Sequence, residues 1–451
     1  MVPKKQIASP QLDMFRNRLE NILNHRHELY RLSSLIGWEI FEQEFGKLYA
    51  EEGRPGIPIR LMVGLTYLGH AYQLSDEEIV RRWVENPYYQ YFCGEQYFRH
   101  ELPIDPSSLS RWRRRIGEQG AELILKLTVP AGLNTKAVQP SSLERIIFDT
   151  TVQEKAVAFP TDSRLYNHSR VRLVKLALAY GIGLRQTYSR LGPQALLKVG
   201  RYIHARQRKR AGREIKRLKT FLGRVYRDIH RKIEERLELK SIFLPELALA
   251  ERLLTQERQD KNKLYSLHAP EVECISKGKA HKKYEFGVKV SVATTNRDNF
   301  VVGMFAEHGN PYDGHTLSKA IEQVQRVTGR IVQRSFADRG YRGHGIKDTE
   351  VLISGRKRGM TPQMKKELKR RSAIEPVIGH MKTDGKLGRN YLLGELGDKV
   401  NALLCGAGHN IRIILKKLRE MLLFFCLICL NRKMAWPTPW PTFCKLAPIP
   451  K

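Results

Sequence analysis

The sequence predicts an α/β protein: a mixed sheet flanked by helices, preceded by a helical segment and interrupted by a basic helical insertion. Three observations carry this reading. Apolar residues recur at helical spacing between residues 59 and 117. From residue 146 onward, short apolar runs and one strict alternation mark strands. Between the first strand and the rest, residues 169–267 combine a 3–4 apolar spacing with dense lysine and arginine.

After the loop Gly53–Pro58, Leu61, Leu65 and Leu68 share one helical stripe. Ser75-Asp76-Glu77-Glu78 forms a capping box, opening a second helix through Ile79, Val80 and Trp83 that Asn86-Pro87 stops. A third helix follows Pro106-Ser107-Ser108, with Leu109, Trp112 and Ile116 inward and Gly117 as its expected end. Arg111, Arg114 and Arg115 point away from that stripe, and with Arg113 they place four cations in five positions. Such a cluster suits phosphate docking, and a solvated charged face is the alternative for each arginine taken singly.

Behind the front, Ile146-Ile147-Phe148-Asp149 opens the sheet. In the insertion, Ile215, Leu218, Leu222, Val225 and Ile229 form one apolar seam, while Arg201 to Lys240 holds 15 basic and 5 acidic residues. A coiled-coil-like dimer arm and a helix packed on the catalytic core that offers its other face to DNA both fit. Five seam positions are few for an independent coiled coil, which favours the packed helix. Tyr284, Phe286, Val288, Val290 and Val292 then alternate with Glu285, Lys289 and Ser291, and Asn296–Asn299 turns the chain into Phe300–Ala306 as an antiparallel hairpin. A helix over 314–327 leads to the apolar run Ile331–Ala337. The tail from residue 431, with Trp436-Pro437-Thr438-Pro439-Trp440-Pro441, is punctuated by proline and expected to be poorly ordered.

Bulk properties narrow the function. The 451 residues suffice for about three units of the usual ~150 residues. Lys and Arg number 79 against 46 acids, a formal charge of +33, which points to a polyanion partner rather than a membrane. The six cysteines form no paired framework. Cys426 and Cys429 make a lone C-x-x-C in an apolar run, read as core cysteines, and a reducing cytoplasm fits. Met421–Leu430 is too short to span a bilayer and the N-terminus lacks a signal-peptide core, so a soluble, cytoplasmic, nucleoid-associated protein is expected. The phosphate loop of nucleotide-driven motors is absent, and no nucleotide cofactor is expected.

Three carboxylates carry the chemistry. Asp149 and Asp338 each end an apolar run, and Glu375 sits in Arg370-Arg371-Ser372-Ala373-Ile374-Glu375-Pro376-Val377-Ile378-Gly379-His380-Met381-Lys382. Three converging acids suit two divalent cations that clamp the attacking and leaving oxygens of a phosphodiester exchange, and the charge makes DNA the expected substrate. On one straight helix Arg371, Glu375 and Lys382 would lie within about 40° of each other. Pro376 complicates this: the helix is kinked at Glu375, or it starts near Pro376 with Arg371 on the lead-in. Asp162, Asp313 and His315 fit a cleft lining or helix caps and turns, and His344 and His380 stand close in sequence to the acids without metal-ligand spacing.

These blocks resemble the insertion-sequence-five-type DDE transposases of bacteria. The resemblance runs from about Gly53 to Leu415 and includes Phe148-Asp149-Thr150-Thr151-Val152, Pro160-Thr161-Asp162-Ser163, Gly309-Asn310-Pro311-Tyr312-Asp313-Gly314-His315, Ala337-Asp338-Arg339-Gly340-Tyr341 and Gly397-Asp398-Lys399-Val400-Asn401. Of the Tyr-Arg-Glu-Lys signature around the third acid, Arg371, Glu375 and Lys382 hold the spacing, and Leu368 stands at the tyrosine position. The resemblance implies a ribonuclease-H-like catalytic core over 131–430, a helical DNA-binding domain over 1–130 with Arg111, Arg114 and Arg115, and the 431–451 tail. It implies Mg²⁺, with Mn²⁺ as a substitute, on Asp149, Asp338 and Glu375, and phosphate contacts from Arg371 and Lys382. The expected function is cleavage at element ends and joining of their 3′-hydroxyls to target DNA, by a homodimer assembled on the terminal inverted repeats. The alternatives are a non-catalytic DNA-binding derivative and another metal nuclease of the same fold.

Overall fold

A computed structural model of the chain describes residues 17–257, 259–276, 282–355 and 359–434, with 422–434 given by backbone alone. The front holds α1 (Leu19–Ile22), α2 (Glu28–Leu35), α3 (Trp38–Gly46), α4 (Ile59–Ala71), α5 (Asp76–Glu85), α6 (Pro87–Phe92), α7 (Ser107–Lys126) and α8 (Thr128–Asn134). Strand β1 (Arg145–Glu154) follows, then α9 (Asp162–Ala179), α10 (Leu191–His204), α11 (Arg208–Ile233) and α12 (Leu237–Thr255). The chain continues through β2 (Glu273–Ile275), β3 (Glu285–Thr295), β4 (Val301–Glu307), α13 (Asp313–Thr328), β5 (Arg334–Ala337) and β6 (Glu350–Ile353). It closes with α14 (Pro362–Lys369), α15 (Ile374–Thr383) and α16 (Gly394–Met434).

The sheet runs β2-β3-β1-β5-β6, with β4 paired to β3 beyond the short β2 contact. Strand β1 is antiparallel to β3 and parallel to β5, so it is central, and all of it but Arg145, Asp149 and Glu154 is buried. The hairpin β3–β4 and the helix before β5 lie where the periodicity places them. Strands β2 and β6 are additions to the expected order: at three and four residues they are too short to show a period. The alternation in β3 does not mark a solvent face. Glu285, Lys289 and Ser291 are buried along with the valines, because the sheet is covered on both sides.

In the front, Ser75 and Glu78 close the capping box reciprocally, and Asn86 ends α5 while capping α6 with Pro87 in its first turn. Gly117 breaks α7 at φ 62°, ψ −161°, but the chain resumes its helix as far as Lys126. The hydrophobic core runs without interruption past residue 130. Leu68, Trp83, Trp112, Phe148, Val292, Ile374 and Leu403 belong to one cluster. Helix α16 joins the halves by packing on α4, α7 and β4. At its crossing with α4, a side chain on Gly408 would come within 2.7 Å of the His70 backbone, so only glycine lets the helices approach.

The insertion has a second core, built from Leu173, Leu218, Phe221, Leu222, Ile229, Phe243 and Leu253. The apolar seam of α11 exists as expected, with Leu218, Leu222, Val225 and Ile229 buried and Ile215 half-buried. Its partners are α9, α10 and α12, not the sheet core. Those helices present apolar faces of their own, which a reading of α11 alone leaves out. Helix α9 begins at Asp162, ahead of the expected insertion boundary.

Where the insertion joins the sheet, a buried ionic network ties distant blocks together. Lys155, just past β1, reaches Asp398 of α16 and Glu271 before β2, each at 2.8 Å. Asn390 donates to the same Asp398 carboxylate at 2.7 Å. His308, at the end of β4, stands 3.6 Å from Glu273 and 3.5 Å from Asp398. Burial works against a charge on His308, but Glu273, Asp398 and Glu395 outweigh it and raise its pKa. A raised folded-state pKa contributes stability that is complete below the unfolded value, near 6.5 for histidine, and is lost as pH rises through the folded value. His308→Gln should therefore lower the urea midpoint more at pH 5.5 than at pH 8.5. A gap between variant and parent that stays constant across that range would mean that folding leaves the His308 pKa unshifted.

Candidate active site

The acids are placed by backbone pairing. The parallel register pairs Arg145, Ile146 and Ile147 of β1 with Arg334, Ser335 and Phe336 of β5. Carried two residues further, it sets Asp149 level with Asp338. Neighbouring strands lie about 4.8 Å apart, so the two carboxylates start from adjacent backbone positions. The Asp149 Oδ1 accepts from the Thr150 amide at 2.7 Å. The Asp338 Oδ1 caps the short turn Arg339–Tyr341 by accepting from the Gly340 amide at 2.9 Å.

The third acid arrives on a helix. A 3₁₀ turn over Arg370–Ala373 leads into α15, with Glu375 its second residue and Pro376 in the first turn. Proline is tolerated there because the first-turn amides have no partner inside the helix. Ile374, Val377 and Met381 are buried and seat α15 against the sheet. Arg371 lies on the lead-in, and its guanidinium links two of the acids: Nη1 is 3.8 Å from Asp149 Oδ2 and Nη2 donates to Glu375 Oε1 at 3.1 Å. The Arg371 side chain is largely buried while Glu375 is 61% exposed, so the helix acid is the member of the set open to a ligand.

A fourth acid stands behind the strand. Asp313, the first residue of α13, accepts from Thr150 Oγ1 at 3.2 Å and from Lys289 Nζ at 3.0 Å. Lys289 also donates to the Pro311 carbonyl at 2.6 Å. A side chain on Gly340 would meet Asp338 on one side and Asp313 on the other. Tyr341 is buried beneath this group. Its burial raises the phenol pKa, and Asp149, Asp313 and Asp338 push it higher still, which keeps it a neutral hydroxyl. Lys289 and Tyr341 were not among the residues expected at the site. The signal for Lys289 was a lysine inside a valine-rich strand, and for Tyr341 its place three residues after Asp338.

Other expected residues lie apart. Lys382 stands 3.9 Å from Glu285 at the start of β3, two turns along α15 from Glu375. His380 pairs with Asp384 at 2.7 Å, and His344 accepts from the Ile346 amide. His315 packs edge-on to Tyr312, and Asp162 opens α9. Among the described residues, no three His, Cys, Asp or Glu side chains converge on one metal position in this conformation. The donors are nonetheless all carboxylate oxygens, the set a hard divalent cation takes.

In the front, Arg111, Arg114 and Arg115 are exposed. Arg111 donates to the Ser107 and Ser108 hydroxyls, and Arg115 lies over the Tyr49 ring at 4.9 Å. Arg111 and Arg115, but not Arg114, border one groove together with Arg54 and Trp112. Arg113 corrects the sequence count: it is buried and ion-paired with Asp76, so it belongs to the fold and not to the outer cluster. The side chains of Cys426 and Cys429, and the tail beyond residue 434, lie outside the described residues. Among the described residues, no helix is long and apolar enough to cross a membrane.

Residues 17–115 match the family model described as Transposase domain (DUF772). Over 200 residues the chain is 53% identical to the "Uncharacterized protein ORF8 in nfe locus" of Rhizobium meliloti, a match covering 44% of this chain and 97% of that protein. The chain belongs to a transposase family. No solved structure matches it. The matched segment of this transposase-family chain is the helical front, which shares its core with the strand carrying Asp149.

The Lys289–Asp313 pair lies under the acids and is open to a direct test. Lys289→Met should strand the Asp313 carboxylate and lower stability by roughly 2–4 kcal/mol, somewhat below a fully buried pair because Asp313 is 25% exposed. Adding Asp313→Asn should restore most of the loss. Thermal unfolding of the parent, both single variants and the double variant measures the coupling, and additive losses would show that the two residues do not interact.

Proposed function

We propose that the chain is a DNA transposase of the insertion-sequence-five DDE type with a ribonuclease-H-like core. The observation that carries this is the β1–β5 register, which levels Asp149 with Asp338 while Arg371 ties Glu375 to the same edge of the sheet. The sheet order supports it too, with an antiparallel hairpin on one side of β1 and two parallel strands on the other. The charge of +33 supports DNA as the substrate.

Asp149, Asp338 and Glu375 are the residues that would hold Mg²⁺, or Mn²⁺ in its place. When bound, the cations supply Lewis-acid stabilisation of charge on the attacking and leaving oxygens. The chain's own part is positional. Two acids are fixed by strand backbone and turn caps, so DNA meets a site that needs little rearrangement there. Arg371 neutralises Asp149 and Glu375 while the site is free, and it is the cation nearest the scissile phosphate once DNA brings its own charge. Lys382, further along α15, serves the phosphate backbone beside it. In the reaction, water opens the phosphodiester at the element end and frees a 3′-hydroxyl. That hydroxyl then attacks a target phosphodiester, one P–O bond forming as another breaks. The terminal inverted repeats are the cognate DNA, and the working species is a homodimer assembled on them in the cytoplasm.

Asp149→Asn, Asp338→Asn and Glu375→Gln should each lower cleavage and joining at least about 100-fold, since a direct ligand counts for no less than the outer partners whose loss costs 10–100-fold. Binding to end DNA should persist, because affinity comes mainly from basic residues elsewhere. Incubation with labelled end duplex, target plasmid and Mg²⁺ reads cleavage and joining separately. Cleavage without joining would favour a nuclease, and near-parental activity in any variant would remove that residue from the site.

A further inference from the structure

The insertion carries a feature that the acids do not use. On α11 the seam residues lie on one arc, and Lys209, Arg213, Arg217, Thr220, Arg224, Arg227 and Arg231 fall on the opposite one. At about 100° per residue these seven lie within about 80° of each other. All seven are exposed, six are cations, and the helix's two acids, Glu214 and Asp228, are off the stripe. The ladder is about 33 Å long at 1.5 Å per residue.

An ordinary solvated helix face mixes charges of both signs, and this one does not. Several rungs are held in place by one or two neighbours. Arg217 lies over the Phe221 ring at 5.6 Å and stands 3.5 Å from Glu214, Arg224 donates to the Tyr188 hydroxyl at 3.2 Å, and Arg231 stands 3.4 Å from Asp228 and donates to the Arg227 carbonyl at 3.4 Å. A guanidinium has five N–H donors, so one or two such contacts leave the rest of the fork available. Toward the helix C-terminus, Arg185 from the α9–α10 loop joins Arg224, Arg227 and Arg231 around a cavity of about 580 Å³. Asp228 lies at its floor, buried and engaged by the Arg185 amide and Lys232. The underside of α11 is packed on its own bundle, so the cationic face is the one that α9, α10 and α12 leave open.

We propose that the exposed face of α11 is a second DNA-binding surface, which lies along the phosphate backbone of duplex DNA without reading its sequence. A 33 Å ladder runs the length of roughly ten phosphates of one strand, at one per 3.4 Å of helix axis. A straight row of like charges repels a second copy of itself, so the occupant is a polyanion and not a partner helix. Duplex DNA is the polyanion that the proposed reaction supplies, and the inference rests on that reading for its ligand.

The test uses the full chain with Arg213→Gln, Arg217→Gln, Arg224→Gln and Arg227→Gln combined. Arg231 is left in place because it faces Asp228. A matched control carries Lys126→Gln, Arg330→Gln, Lys347→Gln and Lys416→Gln, which removes the same charge from exposed positions off the insertion. Binding to end duplex, random duplex and a single strand of equal length is titrated between 50 and 200 mM salt, with circular dichroism to confirm folding. Loss of four phosphate contacts should lower the slope of log affinity against log salt by about 3.6. Affinity for the two duplexes should fall by the same factor, since phosphate contacts carry no sequence information. The control should keep most of the parental slope. Equal losses in ladder variant and control would overturn the proposal in favour of a diffuse field. A loss confined to the single strand, or to end duplex alone, would overturn it as well. Cleavage of the same end duplex at saturating parental protein is read in parallel. Ladder-dependent binding without any cleavage would sink the transposase reading and leave the surface standing.

Discussion

The parallel pairing of β1 with β5 is the constraint on which the site depends. A carboxylate on a loop can move by ångströms, whereas one fixed by strand register cannot move without breaking the ladder. Asp149 is held this way, Asp338 follows directly on the end of β5 and caps the turn beyond it, and the burial of β1 makes slippage costly, because a one-residue shift would exchange Ile147 for Phe148 against the wrong layer. Charge follows from that placement. Acids gathered at one sheet edge repel each other, and the structure answers with Arg371 on one side of the strand and Lys289 on the other. The buried Tyr341 phenol beside these acids stays neutral, its pKa raised by burial and by their charge.

Much of this was legible in the sequence where a local signal was strong. The capping box at Ser75, the hairpin at Asn296–Asn299 and the two acids that close apolar runs all depend on residues adjacent in the chain. Spacing could not decide between a kinked helix and a late start at Glu375, and the structure takes the late start, with Arg371 in a 3₁₀ lead-in that still reaches Glu375.

What escaped the sequence depended on partners far away in it. Arg113 counts as surface charge until Asp76, on another helix, is known to face it. The seam of α11 was visible, but not that three neighbouring helices would cover it in place of the sheet. Asp398 and His308 stood in or beside the resemblance blocks without an evident role. Asp398 proves to be a buried partner of Lys155, and half-buried His308 stands beside Glu273 and Asp398, at the point where the insertion leaves the sheet and returns to it.

The continuity of the core has a mechanical consequence. Helices α4 and α7 share buried side chains with β1 and are braced by α16, the Gly408–His70 contact leaving no slack at the crossing. The groove bordered by Arg111 and Arg115 is therefore tied to the strand carrying Asp149 through one buried core. Such a body works as a ruler. On the proposed function, a duplex held at the front would meet the acids at a set distance along its length, so the length of the grip, and not only its chemistry, would select the bond presented to them.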